Sequence, residues 1–275
     1  MNYLEYDFTI QPLEPARDIL IAELGELGFE SFVEKENGLL AYIPLENWSD
    51  DSFEELFILQ NPEFEVNWTT KTIEQQNWNA EWEKNFHPIQ INGECLVRAP
   101  FHPKTNAPYE IIIEPKMSFG TGHHETTHMM LQLLFGEDIK GKRVLDMGCG
   151  TGVLAILTEM RGALDIDAID IDTWCVENTL ENVQRNQCSK IKVKLGDASI
   201  LEGEIYDVII ANINRNILLE DIPTYVSCLK RTGVLLLSGF YLNDLDKISS
   251  KCEEHNLQFE KKLEKNKWVA AKYVH

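Results

Sequence analysis

From about residue 140 onward, short apolar runs alternate with segments whose apolar residues recur at helical spacing. Arg143 to Met147 reads as a strand, and Val153 to Met160 as a helix. A strand ending at Asp170 is followed by a helix from Thr173 to Arg185, and then a strand from Ile191 to Leu195. Tyr206 to Asn212 reads as a strand, Arg215 to Leu229 as a helix, and Gly233 to Gly239 as a strand. A helix from Asp244 to His255 precedes strands near Gln258 to Leu263 and Trp268 to Tyr273, joined by a turn at Lys265-Asn266. Repeated β-α units of this kind predict an α/β fold, a mostly parallel sheet with helices on both faces and a closing antiparallel hairpin.

The first 73 residues follow another pattern. Tyr3 to Ile10 alternates as a strand, and Pro15 opens a helix with Ile19, Leu20, Leu24 and Leu27 on one stripe and Gly28 at its end. Phe32-Val33 and Leu39 to Ile43 flank Asn37-Gly38, a hairpin signal. Asp50 or Asp51 is placed to cap a second helix through Leu59, and Phe64 to Ile73 completes the order β-α-β-β-α-β of a small ferredoxin-like α+β domain. Residues 74–87 read as a linker helix with Trp78, Trp82 and Phe86 on one face, suited to packing or to an aromatic cage for a cation. Three short strands follow, near Pro88 to Ile91, Cys95 to Arg98 and Tyr109 to Ile113. The expected division is therefore 1–73, 74–87 and 88–275.

Charge sharpens this division. The net charge is −20, and residues 1–72 carry 16 acids against three bases. Such a surface attracts basic partners and repels nucleic acid and anionic lipid. No apolar run approaches the length of a membrane span. The start, Met1-Asn2-Tyr3-Leu4-Glu5, reads as neither a signal nor a transit peptide. Six cysteines without Cys-x-x-Cys spacing read as reduced, mostly structural thiols of a cytoplasmic protein.

The candidate chemistry gathers at strand ends. Asp146-Met147-Gly148-Cys149-Gly150-Thr151-Gly152 places three glycines at every second position between a strand and a helix. The dinucleotide fingerprint wants its third glycine one residue later, where Val153 stands, and a phosphate-loop Gly-Lys-Ser/Thr is absent. Asp146 before the glycines disfavours pyrophosphate and suits a cationic ligand, which points to S-adenosylmethionine. Asp170 lies 22 residues after Gly148, the spacing at which an acid on the second strand meets ribose hydroxyls. Asp172 is placed to cap the next helix, and Asp197 at the end of the third strand to accept from an adenine amine. Asn212 ends the fourth strand; its amide oxygen can accept from a substrate amine and leave the amine lone pair to attack a methyl group. In-line displacement at a sulfonium needs alignment and desolvation more than a strong acid or base.

One motif points elsewhere. His124-Glu125-Thr126-Thr127-His128 matches the zinc-hydrolase pattern His-Glu-x-x-His. It falls at a loop-to-helix junction without an evident third ligand, so the alternative role is a lid. Thr127 would then offer hydroxyl and amide to the cofactor, with Thr126 or Thr127 as helix cap.

With these residues in view, the chain resembles the methyltransferases of large-subunit ribosomal protein L-eleven, over nearly its full length. The resemblance rests on Phe119-Gly-Thr-Gly-His-His-Glu-Thr-Thr127, Val144-Leu-Asp-Met-Gly-Cys-Gly-Thr-Gly152 and Ala211-Asn212-Ile213, with Trp78, Trp82 and Phe86 in the linker. It implies a class I methyltransferase, Rossmann-like sheet and transfer of methyl groups from S-adenosylmethionine to lysine and α-amines of that ribosomal protein. It further implies cofactor contacts from Thr127, Gly148, Asp170 and Asn212; Gly150 and Asp197 are further cofactor-binding candidates from their own positions, and no metal is expected. An N-terminal domain that recognises the ribosomal protein is implied too. A monomer without direct nucleic-acid contact is expected. His128 departs from the family pattern, where a basic residue is common.

Overall fold

In a computed structural model, which describes residues 2–48, 53, 56–74, 83–116 and 118–275, the chain forms two compact units, 1–84 and 85–275.

The first unit has strands β1 (Tyr3–Gln11), β2 (Ser31–Lys35), β3 (Gly38–Pro44) and β4 (Glu65–Ile73), with helices α1 (Ala16–Glu26) and α2 (Phe57–Gln60). The antiparallel order is β2-β3-β1-β4, that of a ferredoxin-like sheet. The alternation in β1 buries Tyr6, Phe8 and Ile10 against Leu20 and Leu24 of α1. Tyr6, Phe29, Trp48 and Phe53 add an edge-to-face aromatic cluster. The expected cap at Asp50 or Asp51 and the aromatic positions Trp78 and Trp82 lie outside the described residues. The four-residue α2 takes its cap from elsewhere in the chain: the Glu23 carboxylate accepts from the Phe57 and Ile58 amides at 2.8 and 3.1 Å.

The second unit opens with a three-stranded sheet, β5 (Ile89–Ile91), β6 (Cys95–Arg98) and β7 (Tyr109–Ile112). Phe86 packs beside Phe101, His102 and His123 within this unit. Helix α3 (Glu125–Phe135) leads into a seven-stranded sheet built from β8 (Arg143–Met147), β9 (Asp165–Asp170), β10 (Ile191–Leu195), β11 (Tyr206–Asn212), β12 (Leu229–Tyr241), β13 (Gln258–Lys265) and β14 (Trp268–Val274). Its helices are α4 (Val153–Met160), α5 (Thr173–Arg185), α6 (Arg215–Ser227) and α7 (Leu245–Glu253).

The order is β10-β9-β8-β11-β12-β14-β13, parallel except for β14, which runs antiparallel to both neighbours. This is the expected Rossmann-like, mostly parallel sheet with a closing hairpin. The strands carry apolar residues on both faces because helices cover both: one core layer holds Val144, Ile166, Val208 and Leu154, the other Leu145, Ile169, Ile209 and Ile222.

Several boundaries shift by a few residues, two of them with a visible cause. Strand β12 begins at Leu229, not Gly233, because pairing with β11 starts at Tyr206 opposite Leu229. The closing turn is Asn266-Lys267, one residue later than expected, with φ of 51° and 69°. Two consecutive positive φ values mark the hairpin turn whose twist matches its strands. After β8 the chain builds outward through β9 and β10, then returns to place β11 on the other side. The gap between the carboxyl ends of β8 and β11 is the switch point at which such sheets bind ligands.

Candidate active site

A cavity of about 410 Å³ opens at that switch point. The row of strands β11, β8, β9 and β10 sets out Asn212, Gly148, Asp170 and Asp197 along it, and all four line it. These four residues meet because each stands at the carboxyl end of a parallel strand.

The glycine loop is held from two sides. Gly148 and Cys149 donate to the Ile169 carbonyl at 2.8 and 3.1 Å, and the Gly150 amide donates to Asp170 Oδ2 at 2.9 Å. Thr151 donates from its amide to the Phe119 carbonyl at 2.9 Å and from its hydroxyl to the Gly120 carbonyl at 2.7 Å. From α5, Thr179 Oγ1 donates to the Gly150 carbonyl at 2.8 Å, and Asn182 Nδ2 to the Thr151 carbonyl at 2.9 Å. The loop amides from Gly148 to Gly152 are therefore spent inside the protein. No cradle of free N–H groups remains for a pyrophosphate, which agrees with the missing dinucleotide fingerprint.

Two glycines allow close approaches. A Cβ on Gly150, at φ +56°, would lie 2.3 Å from the Phe119 carbonyl oxygen. A Cβ on Gly148 would lie 2.1 Å from Ile213 Cγ2.

Asp146 corrects a sequence expectation. It does not face the cavity; its carboxyl is buried beneath the loop, with Oδ2 accepting from the Ala155 amide at 3.0 Å. Gly152, at the helix N-cap position, has no side chain to cap α4, so Asp146 supplies the acceptor. Burial pushes its pKa up to about 7. Asp170 is buried, with Oδ1 accepting from the Asp172 amide at 3.0 Å. It thus shapes the loop as well as facing the cavity. Asp172 caps α5 as expected. Asp197 is exposed at the rim, where hydrogen bonds from the Ser199 side chain and from the Ser199 amide, the latter to Oδ1 at 2.9 Å, lower its pKa.

At the other end, Asn212 Nδ2 donates to Thr127 Oγ1 at 3.3 Å. The partner atom, Asn212 Oδ1, is buried and has no hydrogen-bond partner. An unsatisfied buried amide oxygen costs roughly 1–3 kcal/mol, and a donor brought into the cavity removes that cost. Thr127 is buried behind Asn212, whereas Thr126 and His124 line the cavity.

The junction before α3 is built as a cap. His124 sits at the N-cap position with φ −71° and ψ 141°, and its Nδ1 accepts from the Thr126 amide at 3.3 Å. The cap is thus His124, and not Thr126 or Thr127 as the sequence suggested. Because His124 lies outside the helix, it does not share a helical face with His128 as the zinc pattern requires. Glu125 accepts from Asn266 Nδ2 at 2.7 Å, which ties it to the closing turn. His128 has its pKa lowered by burial and by the nearby Lys265 ammonium. Among the described residues, no group of three or more His, Cys, Asp or Glu is placed to hold a metal ion.

Sequence reasoning missed the wall of the cavity. Phe119, His124 and Trp268 pack edge to face, with centroids 5.1 and 4.8 Å apart, and Tyr241 lies 3.9 Å from Trp268. These rings come from three distant stretches of the chain, so no local pattern reports them. The role of Asn182 did have a signal. Asn182 lies inside α5, where asparagine is a poor former, and Asn186 caps the end of that helix four residues later. Both bond the backbone of residues 112–114.

The sequence matches the family described as Ribosomal protein L11 methyltransferase (PrmA) over residues 17–275. A protein of that name from Bacteroides fragilis is 47% identical over 279 residues, covering 100% of both chains. One from Chlorobaculum tepidum is 35% identical, covering 98% of this chain and 96% of its own. Among solved structures, a ribosomal protein L11 methylase from Lactobacillus delbrueckii subsp. bulgaricus superposes with a TM-score of 0.64 at 26% identity, covering 69% of this chain and 100% of that one.

Proposed function

Since the chain belongs to the ribosomal protein L11 methyltransferase family, we propose that it transfers methyl groups from S-adenosylmethionine to lysine side-chain amines, α-amines or both of ribosomal protein L11. The observation that carries the site assignment is the unpartnered Oδ1 of Asn212 at the switch-point cavity.

The residues fit the cofactor. Gly148 and Gly150 line the cavity without side chains to fill it, Asp170 offers acceptors for ribose hydroxyls, and Asp197 offers one for the adenine amine. When bound, S-adenosylmethionine supplies an electrophilic methyl carbon. Asn212 Oδ1 accepts an N–H of the substrate amine and so fixes where its lone pair points. Thr127 holds the amide plane of Asn212 from behind. The aromatic wall of Phe119, His124 and Trp268 excludes water and favours the neutral, nucleophilic amine by desolvation. The acidic N-terminal unit suits a lysine-rich partner, and its charge disfavours direct contact with RNA. Among the described residues, no helix is long and apolar enough to cross a membrane. A cytoplasmic monomer fits this reading.

The test is incubation with S-adenosylmethionine and total ribosomal proteins of a strain lacking the modification, read by intact mass. Methyl-sized increments on L11 alone are expected; increments on another protein instead would overturn the substrate. Peptide mapping then assigns the amines. Treatment with a strong chelator is expected to leave the rate unchanged, whereas loss of activity restored by zinc would revive the hydrolase-type metal site. Asp170→Ala is expected to weaken S-adenosylmethionine binding about ten- to a hundredfold, as charge-assisted hydrogen bonds are lost. Titration calorimetry reads this directly, and unchanged affinity would remove Asp170 from the site.

A further inference from the structure

The far end of the cavity holds a second acid. Asn212, Gly148, Asp170 and Asp197 stand on adjacent strands, so the row spans three strand spacings, about 14 Å. Asn212 marks the amine end, and the opposite end, at Asp197, falls to the purine.

Helix α6 closes that end. Ile217 and Asp221, four residues apart and hence on one helical face, both line the cavity. The helix packs against the 3-10 turn Ala198–Leu201 that follows Asp197. The phenol of Tyr225, itself fully buried, donates to Asp221 Oδ2 at 3.0 Å and fixes the carboxylate. Asp197 is fixed by the Ser199 amide. Burial raises the Asp221 pKa, the Tyr225 bond opposes this, and the charges of Glu220 and Asp197 add to it. The two carboxylates therefore share one electrostatic environment at the purine end.

Resting on the S-adenosylmethionine reading above, we propose that Asp221 acts with Asp197 as a pair of acceptors for the exocyclic amine of the purine, and makes the cavity selective for adenine. A carboxylate only accepts, and two near each other repel. An amine with two N–H bonds satisfies both acids and relieves that repulsion. A carbonyl at the same ring position, as in hypoxanthine, presents lone pairs to both and is rejected. Ile217, one helical turn before Asp221, supplies an apolar surface for the ring.

The test compares S-adenosylhomocysteine with S-inosylhomocysteine by titration calorimetry on the full chain. Wild type is expected to prefer the adenine ligand by about a hundredfold or more, as for sites built to bond a specific polar group. Asp221→Asn keeps the shape but adds a donor. It is expected to weaken the adenine ligand about tenfold and to strengthen the inosine ligand or leave it unchanged, so the ratio narrows. Tyr225→Phe, which frees the carboxylate, should narrow the ratio less. Equal weakening of both ligands, or an unchanged ratio, would show that Asp221 is structural and overturn the proposal. Failure of wild type to bind either nucleoside would overturn the cofactor reading itself, and this inference with it.

Discussion

Asn212→Ala is expected to lower the methyl-transfer rate by about a hundred- to a thousandfold, the cost of losing one preorganised polar contact at a reacting group. The change removes the one buried side-chain oxygen without a partner among the described residues that line the cavity, and it leaves Thr127 Oγ1 without the amide that donates to it. Displacement at a sulfonium depends on the approach line of the nitrogen lone pair, and a misplacement of about 1 Å costs about a hundredfold. The affinity for S-adenosylhomocysteine should fall much less, because the glycine loop and Asp170 are untouched. Single-turnover rates with L11, alongside binding of S-adenosylhomocysteine, separate the two effects. A normal rate in the variant would sink the positioning role of Asn212. An equal loss in rate and affinity would assign Asn212 to cofactor binding alone.

Gly150→Ala is expected to weaken cofactor binding by more than about a hundredfold. The added Cβ would stand 2.3 Å from the Phe119 carbonyl oxygen, a backbone atom that cannot swing aside. The same carbonyl accepts the Thr151 amide, and Gly120 next to it accepts the Thr151 hydroxyl. Pushing the segments apart therefore breaks the contacts that join the two halves of the site. Left-handed backbone adds roughly 1–2 kcal/mol for a residue with a side chain. The melting temperature should fall as well, by about 2–4 °C for each kcal/mol lost in a domain of this size. Gly203→Ala is the control. It has φ +80° and nothing within 4 Å of an added Cβ, so it bears the conformational cost alone. If both variants bind S-adenosylmethionine normally, the close approach at Phe119 has no functional weight.

These two residues also show how differently parts of the site were legible in the sequence. Gly150 belongs to a local motif whose meaning comes from backbone sterics, and steric rules act over a few residues. Asn212 was legible because parallel strands alternating with helices bring their carboxyl ends to one edge of the sheet. The His124-Glu125-x-x-His128 pattern, already discounted in the sequence for its place at a loop-to-helix junction, fails on the same local geometry. A metal pair at that spacing needs both histidines on a helix, and the boundary falls between them because His124 itself is the cap. Asp146 was misplaced because the pattern cannot tell which side of a strand end faces the ligand. Burial under the loop turned a presumed ligand contact into a helix cap with a pKa of about 7.

By itself the sequence determined the two architectures, the order of their elements and the row of strand-end residues, since hydrophobic period, glycine position and capping are local properties. Tertiary structure decided which of these residues face the cavity. It brought Phe119, His124, Tyr241 and Trp268 into one aromatic wall, left Asn212 Oδ1 without a partner, and set Asp221 beside Asp197. Those outcomes depend on contacts between residues far apart in the chain. They form only once strand order and helix packing have fixed which distant side chains meet.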